Sequence, residues 1–265
     1  MSGAGRGSPI TPGGDLLSGT DKAVAVRAMF DRIAPRYDLV NRVMTLRLDV
    51  AWRRRAVAAL ELPPGSVVVD IATGTGDLCT DLQSAGHRPL GIDYSLGMLM
   101  ARTTSAPVLL GDALAMPLPA GSVDGATCGF ALRNFVDLVG FFGELARVVR
   151  DGGRIALLDA SRPEGRLARA GHAAYFGWLV PRIGALMSDR DAYRYLPRSL
   201  SYLPEPPEML AALEQAGFAD LDRRLLTMGA AQLITATRTR PRPGPDRDAC
   251  ASAQGDAQCQ QGAHR

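Results

Sequence analysis

The chain holds 265 residues, 46% of them hydrophobic, with 30 basic and 27 acidic side chains and a formal charge of +3. That is enough apolar material for a sizeable core, and too even a charge balance for the concentrated basic face that nucleic-acid binding needs. The 4 cysteines contain no CxxC pair, which argues against a zinc site or a disulfide framework, and no uninterrupted apolar run reaches the ~18 residues of a membrane-spanning helix.

Residues 1–20 are rich in Gly, Ser and Pro and read as a disordered arm. They lack the basic-then-apolar order of a secretion signal, and the sparse cysteines make a reducing cytoplasm, or the inner face of the cell membrane, the expected setting. A helix is capped near Asp21, with Val24, Met29, Phe30 and Ile33 as its apolar stripe and Pro35 as its stop. Residues 37–62 read as mostly helical with a bend at Arg47-Leu48-Asp49, and Pro63-Pro64-Gly65 ends them. The first strand is predicted at 67–71. A glycine loop, a helix over 78–84 and a strand over 88–93 follow. Next come a short helix over 95–104, a strand over 107–112 and a strand over 123–130. A helix over 135–150 is stopped by Asp151-Gly152-Gly153, and a fifth strand covers 154–161. Residues 164–187 and 207–216 read as helical, and 218–227 and 231–238 as two strands joined in a hairpin. The tail from Pro241 is too polar to offset its ordering entropy. This alternation predicts an α/β, Rossmann-like fold: a mostly parallel seven-stranded sheet with an antiparallel last strand and helices on both faces. One domain over 21–240 is expected, with an N-terminal helical cap and a substrate insertion at about 162–206.

In such sheets ligands bind outside the C-terminal strand ends. The first strand ends at Asp70, and Gly74 and Gly76 open the following loop, where backbone amides can approach a ligand without a Cβ in the way. A nicotinamide dinucleotide would use GxGxxG, but Cys79 takes the third glycine's place and Asp70 would lie close to any pyrophosphate. A ligand with a cationic amino-acid end and no phosphate suits the loop better, and S-adenosylmethionine is one. Asp93 ends the second strand where a carboxylate can accept from both ribose hydroxyls. Asp112 ends the third, placed to meet an adenine amino group. Each acid alone reads equally as a helix N-cap; acids at three successive strand ends form the more specific pattern.

The pattern resembles the class I S-adenosylmethionine methyltransferases, and among them the ubiquinone/menaquinone biosynthesis C-methyltransferases. Four stretches carry the likeness: YDLVNRVMTLRLDVAW from Tyr37, DIATGTGDL from Asp70, GFALRNFVD from Gly129 and RVVRDGGRIALLDAS from Arg147. Departures from that family's usual residues stand at Val40, Thr45, Asp49, Asp151 and Asp159, several where a substrate is expected to lie. The resemblance implies that Thr75, Asp93, Asp112 and Ala113 contact S-adenosylmethionine and that Gly74 and Gly76 admit its methionine end. Asp70 would hold the loop or the ligand's amino group, and Gly129 would lie beside the cofactor.

The activity so implied is C-methylation of a prenylated quinol, foremost demethylmenaquinol. Deprotonating a ring hydroxyl makes the adjacent carbon nucleophilic, so the enzyme's part is positioning and proton removal. Arg133 is the candidate to stabilise the phenolate, directly or through water, and pairing with Asp137 is its plainer use. Asn134 would hold a hydroxyl, and Tyr37 with Asp38 would cover the site. None of His87, His172 and His264 sits in a motif. Residues 166–187 mix aromatics, aliphatics and arginines, and suit either a lid touching the membrane surface or an ordinary buried helix pair. No nucleic-acid partner and no metal are expected; a homo-oligomer stays open. The competing readings are a methyltransferase of secondary metabolism and a non-catalytic cofactor-binding subunit of a quinone-synthesis complex.

Overall fold

The computed structural model describes residues 8, 9, 17–161, 195 and 198–239. Most of the expected arm, residues 162–194 of the expected insertion and the tail from Pro241, with Cys250 and Cys259, lie outside the described residues.

The first long helix, α1 (Gly19–Ile33), runs through a 3-10 turn (Ala34–Arg36) into α2 (Tyr37–Met44) and α3 (Leu48–Ala58). Then follow β1 (Val67–Ile71), α4 (Asp77–Ser84), β2 (Arg88–Asp93), α5 (Leu96–Met100), β3 (Val108–Leu110) and β4 (Val123–Gly129). A 3-10 turn (Leu132–Asn134), α6 (Leu138–Val148), β5 (Val149–Ala160), a 3-10 turn (Leu200–Tyr202), α7 (Pro206–Gln215), β6 (Phe218–Leu226), a 3-10 turn (Thr227–Gly229) and β7 (Ala231–Arg238) follow.

The seven strands form one sheet in the order β3-β2-β1-β4-β5-β7-β6. β1 pairs in parallel with β2 and β4, while β7 runs antiparallel to both β5 and β6. The expected fold class and closing hairpin are therefore present. Strand order reverses at β1, so a crevice opens at the C-terminal ends of β1 and β4. Both faces of β1 are covered, which is why its sequence is a run of β-branched residues rather than an alternation. Val69 and Ile71 pack with Phe141, Phe142 and Leu145 of α6. Val68 faces the other way, against Trp52 and Ala56 of α3, Leu60 just past it and Leu82 of α4.

Three local expectations are corrected. Met29 of α1 is buried, but Val24 is 60% exposed; the inward stripe is Lys22, Ala25, Val26 and Met29. The helical stretch after Tyr37 is two helices, because Leu46 and Arg47 adopt left-handed φ values of 52° and 62° and reverse the chain one residue before the expected bend. β5 starts at Val149, ahead of the predicted Arg154: Asp151-Gly152-Gly153 lies inside its span, opposite a register shift between Val123 and Gly125 of β4, and is absorbed as an irregularity of the sheet.

Candidate active site

The glycine loop is held from below. The Asp70 carboxylate is buried at the end of β1 and accepts hydrogen bonds from Thr73 Oγ1 (2.6 Å) and Thr127 Oγ1 (2.8 Å), tying the loop's first turn to β4. Its place is under the loop rather than on the cleft wall. Burial pushes its pKa from 3.8 up to about 6, against the pull of the two hydroxyls. Between about pH 4 and 6 the folded chain therefore keeps a proton that the unfolded chain has released, and stability falls as pH rises through that window. Relative to Asp70→Asn, the wild type should lose about 3 kcal/mol across it and nothing further above it. Chemical denaturation of both proteins at successive pH values checks this, and a difference that does not vary with pH refutes it.

Asp93, at the end of β2, organises the rim. Its Oδ2 accepts from the Gly74 N–H (2.7 Å) and its Oδ1 from the Ser95 N–H (2.7 Å), so one carboxylate joins the glycine loop to the start of α5. Each oxygen keeps lone-pair capacity for a ligand hydroxyl. Burial raises the Asp93 pKa. Asp112, just past β3, accepts from the Leu114 N–H (2.9 Å) and stays exposed, beside buried Ala113. Gly76 is not part of the wall. At φ +90° a Cβ there would stand 2.2 Å from Thr104 Cγ2, so backbone conformation and a neighbouring threonine demand the glycine. Thr75 also turns away, donating from Oγ1 to Asp38 Oδ1 of α2 (2.6 Å).

These strand ends open on a cleft whose empty space, open solvent at its mouth included, is about 960 Å³. Gly74, Asp93, Asp112, Ala113 and Gly129 line it on the sheet side, Tyr37 stands beside Gly74, and Asn134 also faces it. Its roof is α1, whose Ala23, Val26, Arg27 and Phe30 face in. Both ends of that roof are fastened. Lys22 Nζ donates to the carbonyls of Arg133 (3.0 Å) and Phe135 (2.9 Å) and sits over the Tyr202 ring. At the other end, Asp31 Oδ1 accepts from Ser95 Oγ (2.6 Å) and the Gly97 N–H (2.8 Å). The sequence led us to expect an N-terminal helical cap but not which side chains of α1 face the cleft, because Val26 and Phe30 belong equally to its apolar packing stripe.

Arg133 is buried and does not line the cleft; its guanidinium binds Asp159 of β5 through Nη1, while its backbone N–H donates to Asp159 Oδ2 (3.3 Å). The alternative partner Asp137 instead caps α6 by accepting from the Gly140 N–H (2.8 Å). Arg133 Nε is buried without a hydrogen-bond partner. The Tyr195 hydroxyl donates to Asn134 Oδ1 (3.0 Å), which leaves the Asn134 NH2 as a donor for the cleft. Burial raises the Tyr37 phenol pKa, partly offset by its bond with Asn41 and the Arg133 charge.

The departures at Thr45 and Asp49 are not on the cleft wall. Thr45 Oγ1 donates to Asp49 Oδ1 (2.5 Å), and Asp49 binds Arg53, which also reaches Asp77 and Asp81 of α4. They brace α3 against α4. Asp159 likewise serves Arg133.

A model of the ubiE/COQ5 methyltransferase family matches residues 18–238. The chain is 40% identical to a demethylmenaquinone methyltransferase of Roseiflexus castenholzii, over 82% of this chain and 94% of that protein. It is 41% identical to a demethylmenaquinone methyltransferase of Deinococcus radiodurans, over 80% and 91%. In fold it is similar to a SAM-dependent methyltransferase of Thermotoga maritima, a possible histamine N-methyltransferase, with a TM-score of 0.56 at 20% identity over 80% of this chain and 98% of that one.

Proposed function

We propose that this chain, which belongs to the ubiE/COQ5 methyltransferase family, transfers a methyl group from S-adenosylmethionine to a ring carbon of a prenylated quinol, foremost demethylmenaquinol. The observation that carries the reading is one continuous cleft lined by two chemically distinct sets of side chains. One set is the Asp93 and Asp112 carboxylates at the tips of β2 and β3, and the other is Asn134 and Tyr37, the Tyr37 ring standing beside Gly74. The acidic set fits the cofactor. Asp93 retains acceptor capacity for ribose hydroxyls, Asp112 for an adenine amino group, and Gly74 leaves room beside the loop for an amino-acid end. Bound there, S-adenosylmethionine supplies an electrophilic methyl group.

The chain's residues then have to hold the quinol ring in line and draw a proton from its hydroxyl. The Asn134 NH2 fixes a ring oxygen. Arg133, whose Nε has no protein partner, stabilises the developing phenolate through an intervening water. Asp159 holds that guanidinium in place, and the Tyr37 ring closes the wall from α2. With α1 fastened over the cleft, bulk water is kept from the reacting atoms. A prenylated acceptor resides in a bilayer, so the same reading brings the chain to a membrane surface. Among the described residues no helix is long and apolar enough to cross one.

The test is incubation with methyl-labelled S-adenosylmethionine and a short-tail demethylnaphthoquinol under reducing conditions. Label should appear on the unsubstituted ring carbon. A chain that binds the cofactor but leaves the ring unlabelled, or labels a ring oxygen, does not perform this reaction.

A further inference from the structure

Helix α2 carries an exposed apolar strip. Asp38 reaches inward to accept from Thr75 of the glycine loop, and Arg42, 3.5 Å from Asp77, stays 42% exposed. Leu39 and Val43, one turn apart, face outward. Leu39 is 59% exposed and Val43 44%; Leu46 in the following turn is 67% exposed. One isolated exposed leucine needs no explanation, but three exposed aliphatic side chains spaced along one helix and its following turn do.

The turn after α2 adds a second observation. Leu46 and Arg47 both hold left-handed backbone conformations, at φ 52° and 62°. A leucine is strained there, whereas asparagine, aspartate or glycine would not be. The sequence thus keeps a large apolar side chain at an exposed apex where local stability favours a small polar one. Arg36 and Arg47 are exposed at the two ends of the face, while the acids of this stretch, Asp38 and Asp49, are turned inward. The outward side is therefore apolar at its centre and positive at its ends. That is the charge and hydropathy pattern of a segment resting in the headgroup layer of an anionic bilayer.

Position agrees with pattern. Tyr37, at the first turn of α2, lines the cleft, so this one helix separates the reaction chamber from its own apolar outer face. We infer that α2 and the Leu46–Arg47 turn form the surface by which the protein docks on anionic lipid, setting the mouth of the cleft at the layer where the acceptor's prenyl tail is anchored. The inference rests on the prenylated-quinol reading above. It differs from the expectation placed on residues 166–187, which lie outside the described residues.

The test compares the full chain with Leu39→Ser/Val43→Ser/Leu46→Ser and with Leu46→Asn, the latter relieving backbone strain and so retaining the fold. Flotation uses vesicles of equimolar phosphatidylcholine and phosphatidylglycerol. Turnover is measured on a water-soluble short-tail acceptor and on a long-tail acceptor carried in those vesicles. The triple variant should float about tenfold less than wild type, and Leu46→Asn about threefold less. Turnover of the vesicle-borne acceptor should fall in parallel, and turnover of the soluble acceptor should stay within about twofold of wild type. Flotation unchanged in both variants, or vesicle-borne turnover unchanged, overturns the proposal. So does a wild-type dimer in sedimentation that the triple variant converts to monomer, which would assign the face to a second copy. If neither acceptor is methylated while flotation still depends on these side chains, the acceptor reading fails and the docking surface stands.

Discussion

Asp93→Ala is expected to weaken S-adenosylmethionine binding by roughly a hundredfold while leaving the sheet folded. The carboxylate serves two neighbours at once, accepting from the Gly74 and Ser95 N–H groups at 2.7 Å each. Truncation removes both acceptors, so the glycine loop and the first turn of α5 lose their common anchor. It also removes the negative charge that the cleft offers to ligand hydroxyls. A charge-assisted hydrogen bond contributes about 1.5–3 kcal/mol, and losing the equivalent of one or two of them gives the stated factor. Asp93→Asn should fall between, because one amide oxygen can keep a single N–H partner while the NH2 faces the other donor. Calorimetric titration with the cofactor decides the matter, with a thermal melt as the control for folding. Binding by the alanine variant within about threefold of wild type would show that Asp93 is only a structural cap of α5.

The central frame was legible because its signals are local. β1 and β7 lie where runs rich in β-branched residues meet Gly, Pro or an acid, β2 lies where a short apolar stretch ends in an acid, and the observed bounds match those stretches. The acids at the strand tips were legible for the same reason: a carboxylate where a strand turns into a loop points at the crevice by topology alone. Asp70 shows the limit of that reasoning. Position in the sequence does not say which face of the sheet a side chain leaves by, and two threonines claim this one from below. Contacts between distant parts of the chain were not legible at all. Lys22 meets the carbonyl of a residue 111 positions away, and Arg133 meets an acid 26 positions away rather than Asp137 at helical spacing. A backbone carbonyl carries no sequence signal, and an arginine beside several acids does not announce its partner. The split between α2 and α3 was half visible. The bend was expected, but two left-handed residues that are neither Gly nor Asn break the usual turn chemistry, so no local signal marks them.

The Arg133–Asp159 pair gives the other large effect, and it must separate stability from chemistry. The guanidinium is 8% exposed and the carboxylate 0%, so each charge depends on the other for its solvation. Asp159→Leu should cost about 3–5 kcal/mol of stability, because it strands a buried positive charge. Arg133→Met alone should cost a similar amount by stranding the carboxylate. The double variant Arg133→Met/Asp159→Leu removes both charges together and should regain most of the loss, since two apolar side chains of similar volume need no partner. Turnover should not follow stability. If Arg133 stabilises the phenolate through its free Nε, the double variant folds and binds S-adenosylmethionine, yet its kcat on a demethylnaphthoquinol stays about 10²–10³-fold below wild type. If the arginine serves only to seat the turn that carries Asn134, kcat returns together with stability. Denaturant melts, cofactor titration and single-turnover rates on the four proteins of this cycle distinguish the two cases. Recovery of both quantities in the double variant would remove Arg133 from the chemistry and leave Asn134 and Tyr37 to hold the acceptor.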